Sequence, residues 1–310
     1  MASAAVSTVS NFNYVQRSPK KAGSSGSGSD PEISPFLAQL DEALENELRF
    51  KGAPQPSGSK CPDANGRIAP PVEPGTITSG MRDGSAHVLR CLKVWYDLPS
   101  DIFFNAVSSI DRFLSKMKAQ PKHLSCIAVS AFHLACAQAR SKNSKVVIPE
   151  PNDLVTISQS RCSSSDLLRM QAILANKLDL NTPGEMEPVT ALTLLRIMFD
   201  VSKAAALRLN MPELLPSELP DHLIYQLEIL TCDSLTLHYR PAEVALALLA
   251  AEFQRRAAAR SQNGHVANAL MGFISELQKY CSIPANNFVQ CLKVVVGQLE
   301  KYNGEGKDFT

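Results

Sequence analysis

The stretch IDRFLSKMKAQPKHLSCIAVSAFHLACA, residues 110–137, holds the end of one amphipathic helix, a proline break and the body of a second helix that is apolar on most sides. Running into it from upstream, Phe103, Val107, Ile110, Leu114 and Met117 recur at three- and four-residue spacing, which predicts a helix over 100–118 with Ser100 as its cap and Pro99 before it. Downstream, Pro121 stands in the first turn of a helix over 121–140, whose segment AVSAFHLACA is dominated by alanine and larger apolar residues. A helix apolar around most of its circumference is stable in water only when neighbouring helices surround it, so the stretch predicts an all-α fold with this helix at its centre. It also poses a question. Asp111 sits at the margin of the buried stripe, where an ionised carboxylate needs donors or a partner. The residues alone leave two readings open: a solvated Asp on the outer helix face, or a buried ion pair with Arg82 as the best candidate partner.

The same pattern extends in both directions. Helices are expected near 84–96, 100–118, 121–140, 151–158 and 163–178, then, after a break at NTPGE (181–185), near 187–207, 217–238, 241–259, 264–280 and 284–303. Five helices, a Pro-Gly break and five more suggest a duplicated five-helix unit, with EVALALLAAEF (243–253) as the second apolar centre. The first eighty residues differ: GSSGSGSD, APQPSGS and APPVEPG are too polar and too rich in Gly and Pro to bury a core, and read as a disordered tail. One island, SPFLAQLDEALENELRF, carries Leu37, Leu40, Leu44 and Leu48 at helical spacing, with Ser34 placed to cap and Pro35 in the first turn. A helix this short, near 34–50, is marginal in isolation and has to dock on something. Residues 304–310 form a short C-terminal tail.

Composition excludes several functions. A net charge of +1 on 310 residues argues against nucleic-acid binding by charge. The longest apolar run, VALALLAA, is far shorter than a membrane span, and the N-terminus has no apolar signal core. Eight cysteines without a C-x-x-C pair, most of them on apolar faces (Cys91, Cys126, Cys136, Cys232, Cys291), read as buried thiols of a reducing compartment, so the expected location is nucleus and cytoplasm. The six histidines make no cluster with metal spacing, His133 reads as a satisfied core residue, and no phosphate-cradling loop or nucleophile motif occurs. No catalytic residue, metal or cofactor is expected.

The order MR (81–82), IDRFL (110–114), LSCIAVSAFHLA (124–135) and SSSDLLRM (163–170) resembles the cyclin box over about 81–182, and the part over 186–303 is similar to the second, weaker box of cyclins. DRFLSKMKAQPKHLSC with ISQSRCSSSDLLRM resembles the cyclin G branch, which also includes cyclin I, as does FLAQLDEALENELRF, similar to that branch's leading helix. The resemblance implies that Arg82 and Asp111 pair and tie the first helix of the box to the second. It also implies a non-catalytic subunit that binds a cyclin-dependent serine/threonine kinase, holds its active arrangement for phosphoryl transfer and regulates cell-cycle progression.

Against that resemblance, three departures stand out. Kinase-activating cyclins grip the kinase with a Lys and a Glu; the matching positions here are Ala137 and Gln171, both uncharged. A charged hydrogen bond contributes about 1.5–3 kcal/mol, so the joint loss implies a grip weaker by at least about one order of magnitude. The third departure is the substrate-docking run, which reads MRDGSAHV, with Met81, Gly84, Ser85 and Val88 at the groove positions, so the groove is degraded. Members of the G branch are associated with type 2A protein phosphatase through its B' regulatory subunit, with growth arrest and with DNA-damage responses, which makes a phosphatase-recruiting adaptor the alternative expectation. Finally, RSPKK (17–21) places Ser18 before Pro19 and two lysines, a form that proline-directed kinases prefer.

Overall fold

The computed structural model describes residues 33–49, 75–180, 189–259 and 264–303. The tail around Ser18, the NTPGE break and residues 304–310 lie outside these residues. Among the described residues the regular structure is helical throughout: α1 (Ser34–Arg49), α2 (Ser79–Trp95), α3 (Ser100–Lys116), α4 (Leu124–Lys142), α5 (Pro151–Ile157), α6 (Ser164–Lys177), α7 (Ala191–Arg208), α8 (Asp221–Cys232), α9 (Pro241–Ala259), α10 (Gly264–Tyr280) and α11 (Ala285–Asn303). Short 3-10 helices add Pro121–His123, Pro212–Leu214 and Ser234–His238.

The chain divides into two units. One comprises Asn46–Thr190 together with Glu228–His238; the other comprises the chain up to Glu45, Ala191–Leu227 and Tyr239–Thr310. The segment 228–238, which the sequence pattern attaches to the second series, therefore groups with the first. In the first unit α4 is the centre: Leu124 and every residue from Cys126 to Cys136 are buried, and α2, α3, α5 and α6 pack against it. In the second unit α9 has that place, buried from Ala242 to Ala250 and packed by α7, α10 and α11. Both follow from the low polarity of the two segments, since no face of either could be left to water without losing the stabilisation of burial.

Three local expectations change in the structure. α3 ends at Lys116, where Met117 adopts extended backbone (φ −130°, ψ 128°), and the buried face runs through Phe103, Ala106, Val107, Ile110 and Phe113. Leu114 and Met117 are only half-buried and sit at its edge. Leu40 and Leu44 of α1 are fully buried, whereas Leu48 is exposed, since the helix has by then turned that position outward. α2 begins at Ser79, earlier than expected, because the Thr78 hydroxyl accepts from the Met81 amide and caps it.

Five helices end alike. Asp97, Gln159, Asp179, Asn210 and Ser282 all take left-handed backbone (φ between 49° and 57°), and in each case the next amide reaches back: Leu98 to the Lys93 carbonyl, Ser160 to Val155, Leu180 to Ala175, Met211 to Ala206, Ile283 to Gln278. These are Schellman ends made without glycine. Four of the five following residues are apolar, providing the contact that commonly holds this motif.

Candidate functional site

The first unit is tied together by ion pairs that radiate from α2. Arg82, 2% exposed, donates through Nε to Asp111 Oδ1 (2.9 Å) and through Nη2 to Oδ2 (2.6 Å), a two-pronged contact between α2 and α3. Its Nη1 donates to the Thr231 carbonyl at 2.8 Å. Burial works against the charged guanidinium, but the charge and hydrogen bonds of Asp111, together with the charge of the neighbouring Asp83, outweigh it and raise the Arg82 pKa above the ordinary arginine value. Asp83, beside it, has a carboxyl pushed up by burial, only partly opposed by the Ser234 hydroxyl that donates to it at 3.0 Å and by Arg82.

A second knot surrounds Glu228, 1% exposed, which accepts from Ser100 Oγ (2.7 Å), Lys93 Nζ (2.8 Å) and Arg90 Nε (3.3 Å). The Ser100 hydroxyl is therefore spent on this carboxylate and makes no helix cap; Pro99 holds the cap position of α3 without a side-chain hydrogen bond. Through Glu228 and Thr231 the segment 228–238 is fastened to α2 and α3, which accounts for its grouping with the first unit. A period read from sequence carries no information on such a distant partner.

The positions expected to grip a kinase lie on the α4–α6 pair. The Ser130 hydroxyl donates to the Leu167 carbonyl at 3.0 Å, and one turn on, His133 Nδ1 lies 2.6 Å from Gln171 Oε1. An amide oxygen only accepts, so Nδ1 carries the proton. Ala137 follows His133 by four residues, on the same side of α4, and is half-buried. The structure thus brings Ala137 and Gln171 to one edge of the helix pair, with Gln171 turned to an internal partner. The next cation along α4, Arg140, donates to the Val146 carbonyl of the following loop at 2.8 Å. α6 starts from a capping box in which Ser163 and Asp166 exchange hydrogen bonds; the Ser163 hydroxyl and amide donate to the carboxylate and hold its pKa below the ordinary aspartate value.

On α2, Met81 (45% exposed) and Val88 are open to solvent, Gly84 has open space around its α-carbon, and the Ser85 hydroxyl folds back onto the Met81 carbonyl at 3.0 Å. Sequence reasoning missed the continuation of this face: Trp95, 70% exposed, stands seven residues beyond Val88, as Val88 does beyond Met81, and that heptad spacing was the available signal. Cys91, between them, is exposed, against the expectation of a buried thiol, because it lies on the same outward stripe. Cys126, Cys136, Cys232, Cys281 and Cys291 are buried and free, and burial pushes the thiols of Cys136, Cys232 and Cys291 up to about 12. Among the described residues no group of His, Cys, Asp or Glu is placed to hold a metal ion, and no helix is long and apolar enough to cross a membrane.

Comparison with known proteins places this architecture. The family model for the N-terminal domain of cyclins matches residues 65–182. Cyclin-G1 of Sus scrofa is 31% identical over 227 residues, which cover 71% of this chain and 68% of that protein. The chain belongs to the cyclin family, within its G branch. Cyclin G of Drosophila melanogaster is 38% identical over 239 residues and cyclin-G2 of Homo sapiens 33% over 219 residues. This cyclin spans 40% of the length of the Drosophila relative and 58% of the human one. The fold is shared with a viral cyclin from herpesvirus saimiri at a TM-score of 0.55 and 15% identity, over 84% of this chain and 96% of that one.

Proposed function

We propose that this cyclin is a non-catalytic regulatory subunit that binds a cyclin-dependent serine/threonine kinase through the α4–α6 edge, with a weak grip, in the control of cell-cycle progression. Membership of the family supports the kind of partner. The observation that carries the reading is the contrast between an intact frame and an altered edge: Arg82 and Asp111 make their two-pronged contact, whereas Ala137 and Gln171 offer a kinase no charge. Losing both charges together leaves no single buried charge stranded, as expected of a retuned interface. Titrating the purified chain against purified cyclin-dependent kinases by calorimetry tests it, with a dissociation constant in roughly the micromolar range expected. No heat with any kinase would remove the reading.

A second reading has its own observation. Gln171 Oε1 is engaged with His133 and Arg140 with the Val146 carbonyl, so both of these side chains have partners within the chain. That favours a cyclin fold used as an adaptor recruiting type 2A protein phosphatase through its B' subunit, in growth arrest and DNA-damage responses. Capture of the tagged chain from cells, scored for kinase against phosphatase subunits, separates the two readings. We place its action in nucleus and cytoplasm; imaging of a fluorescent fusion tests that.

A further inference from the structure

In α2 the usual placing of charge is reversed. Its four charged side chains face the protein: Arg82 bonds Asp111, Asp83 accepts from Ser234, and Arg90 and Lys93 reach Glu228. The solvent side is left to Met81, Gly84, Val88, Cys91, Val94 and Trp95, with His87 at its margin, and no Asp, Glu, Lys or Arg of the helix is exposed. A helix at the surface ordinarily shows the opposite arrangement. Met81, Val88 and Trp95 are spaced seven residues apart, with Gly84 and Cys91 between them, the a/d pattern of a helix–helix seam. The stripe holds one large projection and one gap. Trp95 is 70% exposed. Gly84 carries no side chain, a Cβ there would meet nothing within 4 Å, and Ser85 beside it folds its hydroxyl back onto the Met81 carbonyl. Eleven residues separate the two, which is three helical turns to within about 20°, so projection and gap lie on one line about 16 Å apart.

We propose that this face is the seam of a homodimer, in which α2 of a second copy lies antiparallel and each Trp95 packs over Gly84 of the other copy. A two-fold axis midway between Gly84 and Trp95 makes both contacts at once and sets Val88 of each copy opposite Cys91 of the other. Only the same stripe, run in the opposite direction, supplies a projection for the gap and a gap for the projection; an unrelated helix would have to bring both. The face carries no Asp, Glu, Lys or Arg of α2, so closing it strips no such charge of water. Two tryptophans with their methionine and valine neighbours bury roughly 1,000 Å² in total, the lower end of specific interfaces, which makes the dimer reversible, with a dissociation constant in roughly the micromolar range. The seam uses none of the residues of the α4–α6 edge, so it stands or falls apart from the proposed function.

Trp95 is the chain's one tryptophan, so its fluorescence reads the seam directly. The full chain is titrated from the nanomolar to the high-micromolar range, with emission and acrylamide quenching recorded beside the molar mass from sedimentation equilibrium. As the mass doubles, the emission is expected to shift to the blue and quenching to fall several-fold, all with one midpoint. Gly84→Glu fills the gap and puts a carboxylate on the seam without meeting a neighbour in its own chain, and is expected to weaken association about tenfold or more. A chain that stays monomeric, with solvent-like Trp95 emission at the highest concentration, overturns the proposal; a blue shift then produced only by adding another protein assigns the face to that protein instead. A doubled mass with unchanged Trp95 emission overturns it too, since the copies then meet elsewhere. The parent titration decides the matter even if Gly84→Glu fails to fold.

Discussion

Gln171 Oε1 accepts a 2.6 Å hydrogen bond from His133 Nδ1, joining the two helices on which a kinase-gripping cyclin carries its charged residues. Restoring both charges by Ala137→Lys with Gln171→Glu is expected to strengthen association with a cyclin-dependent kinase about tenfold or more, since each charged hydrogen bond contributes about 1.5–3 kcal/mol. Gln171→Glu alone gains less, because His133 holds the new carboxylate inward. Biolayer interferometry on the single and double variants checks this; unchanged binding of the double variant shows that this docking mode is not used.

Asp111→Ala leaves the buried Arg82 guanidinium without its two-pronged partner and is expected to destabilise the chain by about 3–5 kcal/mol. A solvated aspartate would cost under about half a kcal/mol. Chemical denaturation followed by circular dichroism distinguishes the outcomes, and an unshifted midpoint removes the pair from the frame.

Glu228 is the acceptor for Ser100, Lys93 and Arg90 at once. Glu228→Ala is expected to cost about 2–5 kcal/mol, and Glu228→Gln less, because the amide oxygen still accepts from Ser100. The readout is hydrogen exchange of the α3 amides, which should speed up in Glu228→Ala; unchanged protection there would mean that the segment 228–238 does not brace α3.

In the second unit Glu252, nearly buried, accepts from Arg255 (2.8 and 2.9 Å) and Arg256 (2.6 Å) and lies 3.3 Å from His222 Nε2. Burial alone would raise its pKa; the hydrogen bonds and charges of these partners outweigh it and lower it below the ordinary 4.5. A lowered folded-state pKa means that the unfolded chain takes up the proton first as the solution is acidified. The contribution is therefore fully present above about pH 4.5 and is lost as pH falls through the folded-state value. Glu252→Gln is expected to lower stability by about 1 kcal/mol at pH 7, a modest figure because Arg255 is largely solvated. Thermal melts from pH 7 down to pH 3 should show the variant and the parent converging at the acid end; a constant offset would rule out the charge as the cause.

Hydrophobic periodicity alone determined the helical class, the two-times-five order and the two apolar centres, because burial acts on the chain's own pattern: AVSAFHLACA and VALALLAA cannot face water on any side. Helix boundaries were read within a few residues where a proline marks a start, as at Pro151 and Pro241, and less well at ends closed by Asp97 or Gln159, whose left-handed backbone is held by a reach-back hydrogen bond and no glycine. The Arg82–Asp111 pairing came from the family resemblance, since the stripe itself left Asp111 at a margin open to either reading. Only the tertiary structure decided that Ser100 serves Glu228 instead of its own helix, that Gln171 turns to His133, and that 228–238 belongs with the first unit. The physical reason is common to all three: a polar side chain's partner is chosen by what the fold brings within about 3 Å, and residues 128 apart, such as Ser100 and Glu228, meet through packing that no local pattern encodes.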